Sequence, residues 1–343
     1  MVLRAFFIIV FLLTMFVNAS QSGIDSLLDE AEDYLVVKPS RTLTLLNQVN
    51  NLASYTDNTQ IRWHLLKLRA SVSTNRLVEM DSSIEQLQSY QHSAYFKDNL
   101  VTIFSAIGIW FRRSGFPQYA NASLSCALTY AKNPKQRLAL INSKALVARY
   151  LKKYRRAEVL YEQATSIATK HNNKIKLATI ANNLGVIALD KKEYERAEHY
   201  FRRALKGHQN NDNRAGNVTA GLNLLFLFTL QNQVVNYQRL YEPIAALTNA
   251  FPNKAKQALL FWIRTMHNAK GQPVTDNRLK VRLANEFSML ESRRVKQLVK
   301  FYFAEKLAVE VSLTPTPKPR KINLSLITNM SHCDWKSALQ NDK

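Results

Sequence analysis

One stretch restricts what this chain can fold into more than any other. Ala178–Lys206, ATIANNLGVIALDKKEYERAEHYFRRALK, reads as two amphipathic helices joined by a tight polar turn. Leu184, Gly185 and Ala188 share one face of the first helix, and Ala197, Phe201 and Ala204 share one face of the second. Small residues on both faces let the helices approach closely. Asp190-Lys191-Lys192 interrupts the apolar pattern and Tyr194 restarts it, as a helical hairpin requires. Forty residues earlier, Tyr154, Ala157, Tyr161 and Ala164 repeat the second-helix face. Gly108, Phe111, Gly115, Ala120, Leu124 and Ala127 give an earlier copy, and Leu224, Leu225 and Phe228 a later one whose second helix carries Tyr237 and Tyr241. A single hairpin cannot bury such faces alone, so copies must stack.

The pattern Ala181-x2-Leu184-Gly185-x2-Ala188, followed by Ala197-x3-Phe201, resembles the tetratricopeptide repeat. Ala181 stands where that family often has Trp, Ala188 where it often has Tyr, and no closing Pro follows. The step is longer than the family's minimal unit of roughly 34 residues, and is similar to the long-helix variety of kinesin light chains and MalT-type bacterial regulators. The resemblance implies an all-α fold, a right-handed superhelical solenoid of antiparallel helix pairs. It spans Val101 to Leu247 well and Ser22 to Asn99 faintly.

Five segments are expected. Residues 1–19 read as a cleavable secretion signal: Arg4 supplies the positive start, Ala5–Val17 the apolar run, and Val17-Asn18-Ala19 a small-residue exit. That run falls short of the roughly 20 apolar residues that span a bilayer, which makes an uncleaved anchor the weaker alternative. Residues 20–100 read as degenerate repeats or a cap, 101–250 as repeats, and 251–312 as a helical cap with Phe251-Pro252 opening one helix and Ser292 capping another. In 313–343, Pro315, Pro317 and Pro319 stiffen a linker, and Ile322, Leu324 and Leu326 alternate with polar residues in a tail whose default is disorder. The implied compartment is the periplasm.

The formal net charge is +22, and it is unevenly spread. Residues 20–100 carry a net of −3, whereas 101–206 carry +14. Lys152, Lys153, Arg155, Arg156, Lys191, Lys192 and Arg196 fall near the turns of successive units, so stacking should align them as a cationic edge drawing anionic partners: acidic protein, envelope glycan or lipid headgroups. Nucleic acid is disfavoured, since export removes the chain from it and no binding motif is present. Cys126 reads as a small buried residue; pairing with Cys333, which an exported compartment permits, is the alternative.

The sequence carries no Gly-rich phosphate loop, nucleophile elbow or His-Glu-x-x-His helix, and His332-Cys333-Asp334 is too compact to surround a metal unaided. No catalytic residue, cofactor or metal is therefore expected. First helices line the inner surface of such repeats, and in similar repeat proteins an Asn ladder there clamps peptides. An amide offers both donor and acceptor to an extended backbone. Asn142 and Asn182 are forty residues apart, as are Asn183 and Asn223; the alternative, favoured for the latter pair, is that one Asn of each pair bonds an adjacent helix within the stack. Arg112, Arg113 and Arg149 are the charged neighbours, and Leu146, Val186 and Phe226 the apolar ones. The chain is expected to be an exported, non-catalytic scaffold that binds a protein or peptide on this surface. The alternatives are a sensory module signalling through a partner, or a binder of anionic envelope material.

Overall fold

The computed structural model describes residues 22–35, 38–74, 76–290, 292–313 and Cys333. The expected signal and nearly all of the Pro-rich tail lie outside the described residues. Among those described, the regular structure is helical throughout, without a strand. The first helix, α1, covers 22–35. It is followed by α2 (Pro39–Leu46), α3 (Asp57–Thr74), α4 (Leu77–Ser89), α5 (Ala94–Asp98), α6 (Leu100–Arg113), α7 (Pro117–Thr129), α8 (Pro134–Tyr150) and α9 (Tyr154–Lys170). Then come α10 (Lys174–Asp190), α11 (Tyr194–Gln209), α12 (Arg214–Leu230), α13 (Val234–Asn249), α14 (Lys254–Asn268), α15 (Asn277–Met289) and α16 (Arg293–Val299), the last running into a π-helical turn over Lys300–Ala304.

From α8 to α14 every helix begins twenty residues after the one before, at Pro134, Tyr154, Lys174, Tyr194, Arg214, Val234 and Lys254. The turns keep the same beat. Lys152, Asn172, Lys192, Asp212 and Asn232 all take positive φ, between 47° and 62°, the left-handed conformation that ends a helix and reverses the chain. Caps follow a beat of forty. The side chains of Asn133, Asn173, Asn213 and Asn253 accept from the backbone N–H of Gln136, Lys176, Gly216 and Lys256 at the starts of α8, α10, α12 and α14. Each such cap contributes about 1 kcal/mol to its helix. The second helices α9, α11 and α13 have no side-chain cap and are held by packing. Asn253 also explains why the helix expected from Phe251-Pro252 begins only at Lys254: the first available cap sets the start. Lys174, Arg214 and Lys254, the first residues of α10, α12 and α14, face no acidic residue in their first turns. A cation there opposes the helix dipole at a cost of about 0.3–1 kcal/mol.

The chain divides into two compact units, Met1–Leu151 with Pro317–Lys343, and Lys152–Thr316. In the first, Leu28, Ala31, Leu43, Leu46 and Leu66 knit α1, α2 and α3 together, and Trp63 Nε1 donates to Leu46 O at 3.1 Å. A second cluster joins α3, α4, α6, α7 and α8 around Phe104, Phe111 and Leu124. Cys126, on α7, is bonded to Cys333 with Cα atoms 5.4 Å apart, and Tyr130 Oη donates to Cys333 O at 3.0 Å. The pairing alternative therefore holds over the free buried thiol, because Cys333 is brought against α7.

Buried His64 on α3 contacts Ser83 Oγ through Nδ1 at 3.2 Å. Desolvation, then the charge of Lys67, push its pKa from 6.5 down to about 4. The unfolded chain takes up this proton first as pH falls. The stability that neutral His64 contributes is thus complete above pH 6.5 and lost progressively towards pH 4, by about 3 kcal/mol in all. Denaturant unfolding at stepped pH should show this loss in the native protein and a flatter curve in His64→Gln; equal slopes would place the acid sensitivity elsewhere.

In the second unit one continuous core runs from α10 to the residues after α16, with Phe201, Leu225, Phe228, Trp262 and Phe303 at its centre. Close helix approach is built in at Gly185: a Cβ there would lie 2.6 Å from the ring of Phe201, sixteen residues on. Gly108 stands in the same relation to Leu124, in the first unit. The hairpin's small-residue face is thus a packing requirement at both places.

Candidate binding surfaces

First helices touch first helices. In the first unit α6 contacts α8, and in the second α10 contacts α12 and α12 contacts α14. This places their polar positions on one surface within each unit.

In the second unit that surface is covered by the chain itself. Asn182 and Asn183 on α10 are both 9% exposed, and Asn223 Nδ2 on α12 donates to Asn182 Oδ1 at 2.9 Å. Asn223 thus bonds an adjacent helix within the stack, its partner being Asn182 from the other expected pair. Val186 and Phe226 are buried. The Phe226 ring lies 4.6 Å from that of Phe303 and 6.4 Å from that of Tyr302. Arg294 Nε donates to Asp190 Oδ1 at 2.8 Å, fixing α16 to the end of α10. Burial, then a hydrogen bond with Tyr194, raise the Tyr302 phenol above its usual range. Farther on, Leu307 O accepts from Val274 N at 3.0 Å. Val299, Phe303 and Leu307 are fully buried, each contributing about 1.5–3 kcal/mol of apolar burial. The sequence pattern finds this last helix, with Ser292 Oγ accepting from Val295 N as its cap, but not its return onto α10 and α12. The signal available was the run of apolar residues continuing past Leu298 to Leu307.

In the first unit, Asn142, Leu146 and Arg149 fall on one stripe of α8 and are half-buried. Arg112 and Arg113 end α6, the helix that α8 contacts. Arg113 Nη1 donates to Val72 O at 2.8 Å, so this arginine ties α6 to α3, while Arg112 is half-buried beside it. Asn142 and Asn182 thus belong to different units.

The seven residues of the expected cationic edge, Lys152 to Arg196, are all exposed and belong to the second unit. Two are neutralised locally. Lys191 Nζ lies 2.6 Å from Glu193 and 3.8 Å from Glu158, and Arg196 lies 3.1 Å from Glu158 and 2.9 Å from Glu193. Hydrogen bonds from Lys191 and Arg196 hold the Glu193 carboxyl below the usual range. The interhelical carboxylate of Glu158 therefore serves the stacking of α9 on α11 and reduces the field of this edge. Among the described residues no group of three or more His, Cys, Asp or Glu is placed to hold a metal, and no helix is long and apolar enough to cross a membrane.

Residues 136–210, from early in α8 to the end of α11, match the tetratricopeptide repeat family, and the chain carries tetratricopeptide repeats there. Among solved structures, it is similar to the Rap conjugation gene regulator of plasmid pLS20 in complex with the Phr* peptide. The identity is 14% and the TM-score 0.63, over 93% of this chain and 95% of that one. It is similar also to a Rap protein complexed with competence and sporulation factor, with 12% identity and a TM-score of 0.55 over 94% and 97%. Aspartyl phosphate phosphatase F from Bacillus subtilis matches at 12% identity and a TM-score of 0.46, over 86% and 97%. No curated protein matches the sequence. The family match and the two Rap likenesses above a TM-score of 0.5 support the fold, an all-helical solenoid of antiparallel helix pairs of the tetratricopeptide type.

Proposed function

We propose that the protein is an exported, non-catalytic scaffold that captures an extended protein or peptide segment on the inner face of its first unit. The observation that carries this reading is the half-buried stripe Asn142, Leu146 and Arg149 on α8, beside Arg112 on α6. It combines backbone-binding amide, apolar contact and cation on one surface. Support comes from the second unit, where positions forty residues further on, Asn182 and Val186, lie on the face against which the chain's own C-terminal residues pack. Polypeptide is therefore a fitting occupant for such a stripe. Two Rap structures of the same fold were solved with a peptide or a factor bound. Export is favoured by the charged and apolar N-terminal sequence and by the Cys126–Cys333 bond, which persists in oxidising compartments.

The test is selection of peptides from a displayed random library on the purified protein, followed by titration of a selected peptide against Asn142→Ala/Arg149→Ala. Loss of one neutral and one charge-assisted hydrogen bond should weaken binding roughly 30-fold or more. Affinity unchanged within about twofold would remove the α8 stripe from the binding surface.

A further inference from the structure

Two clefts in the second unit concentrate positive charge away from the edge already described. One, with a volume of about 400 Å³, lies between the start of α10 and the end of α11, with Lys174, Arg203 and Lys206 on its wall and no carboxylate. Its floor is rigid: Gly207 packs so tightly on Ala178 that a Cβ would come within 2.8 Å of the alanine methyl. The other, about 550 Å³, lies between α13, α14 and α15, with Lys254, Arg264 and Arg282 on its wall against a single carboxylate, Glu286. Both guanidinium groups of this cleft sit over the ring of buried Phe261, Arg264 at 5.4 Å and Arg282 at 4.3 Å from its centre. Two like charges are thereby held against one aromatic ring.

None of these six cations has an acidic partner within ion-pair distance among the described residues, in contrast to Lys191 and Arg196. Nor does helix stability account for Lys174 and Lys254, which open α10 and α14 against the dipole, whereas Lys206 lies in the last turn of α11, where the dipole favours a cation. We infer that these two cation-lined clefts form a docking surface for a carboxylate-rich polypeptide segment, distinct from the α8 stripe. The chemistry favours polypeptide over a lipid surface. Of the larger cleft's apolar lining, Met289 is 51% exposed, whereas Leu260 and Phe261 are buried at its floor. A flat bilayer cannot reach them, whereas Glu and Leu side chains along one segment can fill floor and wall together. Planar guanidinium forks also match carboxylates two bonds at a time.

The probe is a fluorescein-labelled peptide of alternating Glu and Leu, compared with its Gln and Leu counterpart and with phosphatidylglycerol vesicles, at low and physiological salt. Arg203→Gln/Lys206→Gln/Arg282→Gln should weaken acidic-peptide binding at least about tenfold. Lys152→Gln/Lys153→Gln/Arg155→Gln, which removes the same charge from the other edge, should change it less than about twofold. Asn142→Ala/Arg149→Ala should leave it intact, so this docking surface and the α8 stripe stand or fall separately. Equal losses in the two charge sets, equal binding of the Gln peptide, or vesicle binding without peptide binding would each overturn the inference. Circular dichroism of every variant keeps unfolding from being read as lost affinity.

Discussion

Phe303→Ala is expected to destabilise the second unit by about 3–5 kcal/mol, the range for removing a fully buried aromatic ring from a close-packed core. The ring has no exposure, and it packs on Phe226 within the cluster that also holds Trp262 and Leu225. The neighbouring Phe301 is 59% exposed, which makes Phe301→Ala a matched control with an expected change within about 0.5 kcal/mol. Denaturant melts of the two variants decide the matter. A large shift for Phe303 alone means that the residues after α16 are part of the repeat core, and equal small shifts would mean that they merely rest on it. Binding of a hydrophobic dye by Phe303→Ala would report Val186 and Phe226 becoming accessible. The size of this burial bears on function. Displacing a contact worth about 3–5 kcal/mol would weaken a partner's affinity for the α10 and α12 face by about a hundredfold or more, which favours other surfaces for binding.

Reduction of the Cys126–Cys333 bond is expected to lower the stability of the first unit by about 2–5 kcal/mol. The bond closes a loop across a sequence separation of 207, and long closures constrain the unfolded chain most. Cys126 is buried on α7, so a strong reductant acting on partly unfolded protein, rather than mild treatment of the folded one, should be needed. Thermal melts with and without reductant should differ for the native protein and coincide for Cys126→Ala/Cys333→Ala. Identical melts for the native protein would show that the bond is absent or energetically silent. A melt that shifts with reductant would add solution evidence for secretion into an oxidising compartment.

The repeat itself was legible in the chain because its cause is local. Leu184, Gly185, Ala197 and Phe201 announce a close-packed hairpin through size and helical spacing alone, and the spacing of forty recurs in the first-helix starts. The caps at Asn133, Asn173, Asn213 and Asn253 were not read from the sequence, although each acts within one turn of its own helix. Which polar and apolar positions stay accessible was not readable. Val186 and Phe226 have the pattern of an inner lining, yet Phe303, which packs on Phe226, is separated from it in sequence by four helices, α13 to α16. The same holds for Arg294 on Asp190 and for Cys333 on Cys126. Charge behaved likewise: the lysine and arginine pairs near the turns are visible in the sequence, but their neutralisation by Glu158 and Glu193 depends on how α9 meets α11. Periodicity determines which face of a helix is buried, because that is a matter of 3.6 residues per turn. What buries it is decided by contacts between distant segments, whose energy depends on shape and distance that a linear pattern does not encode.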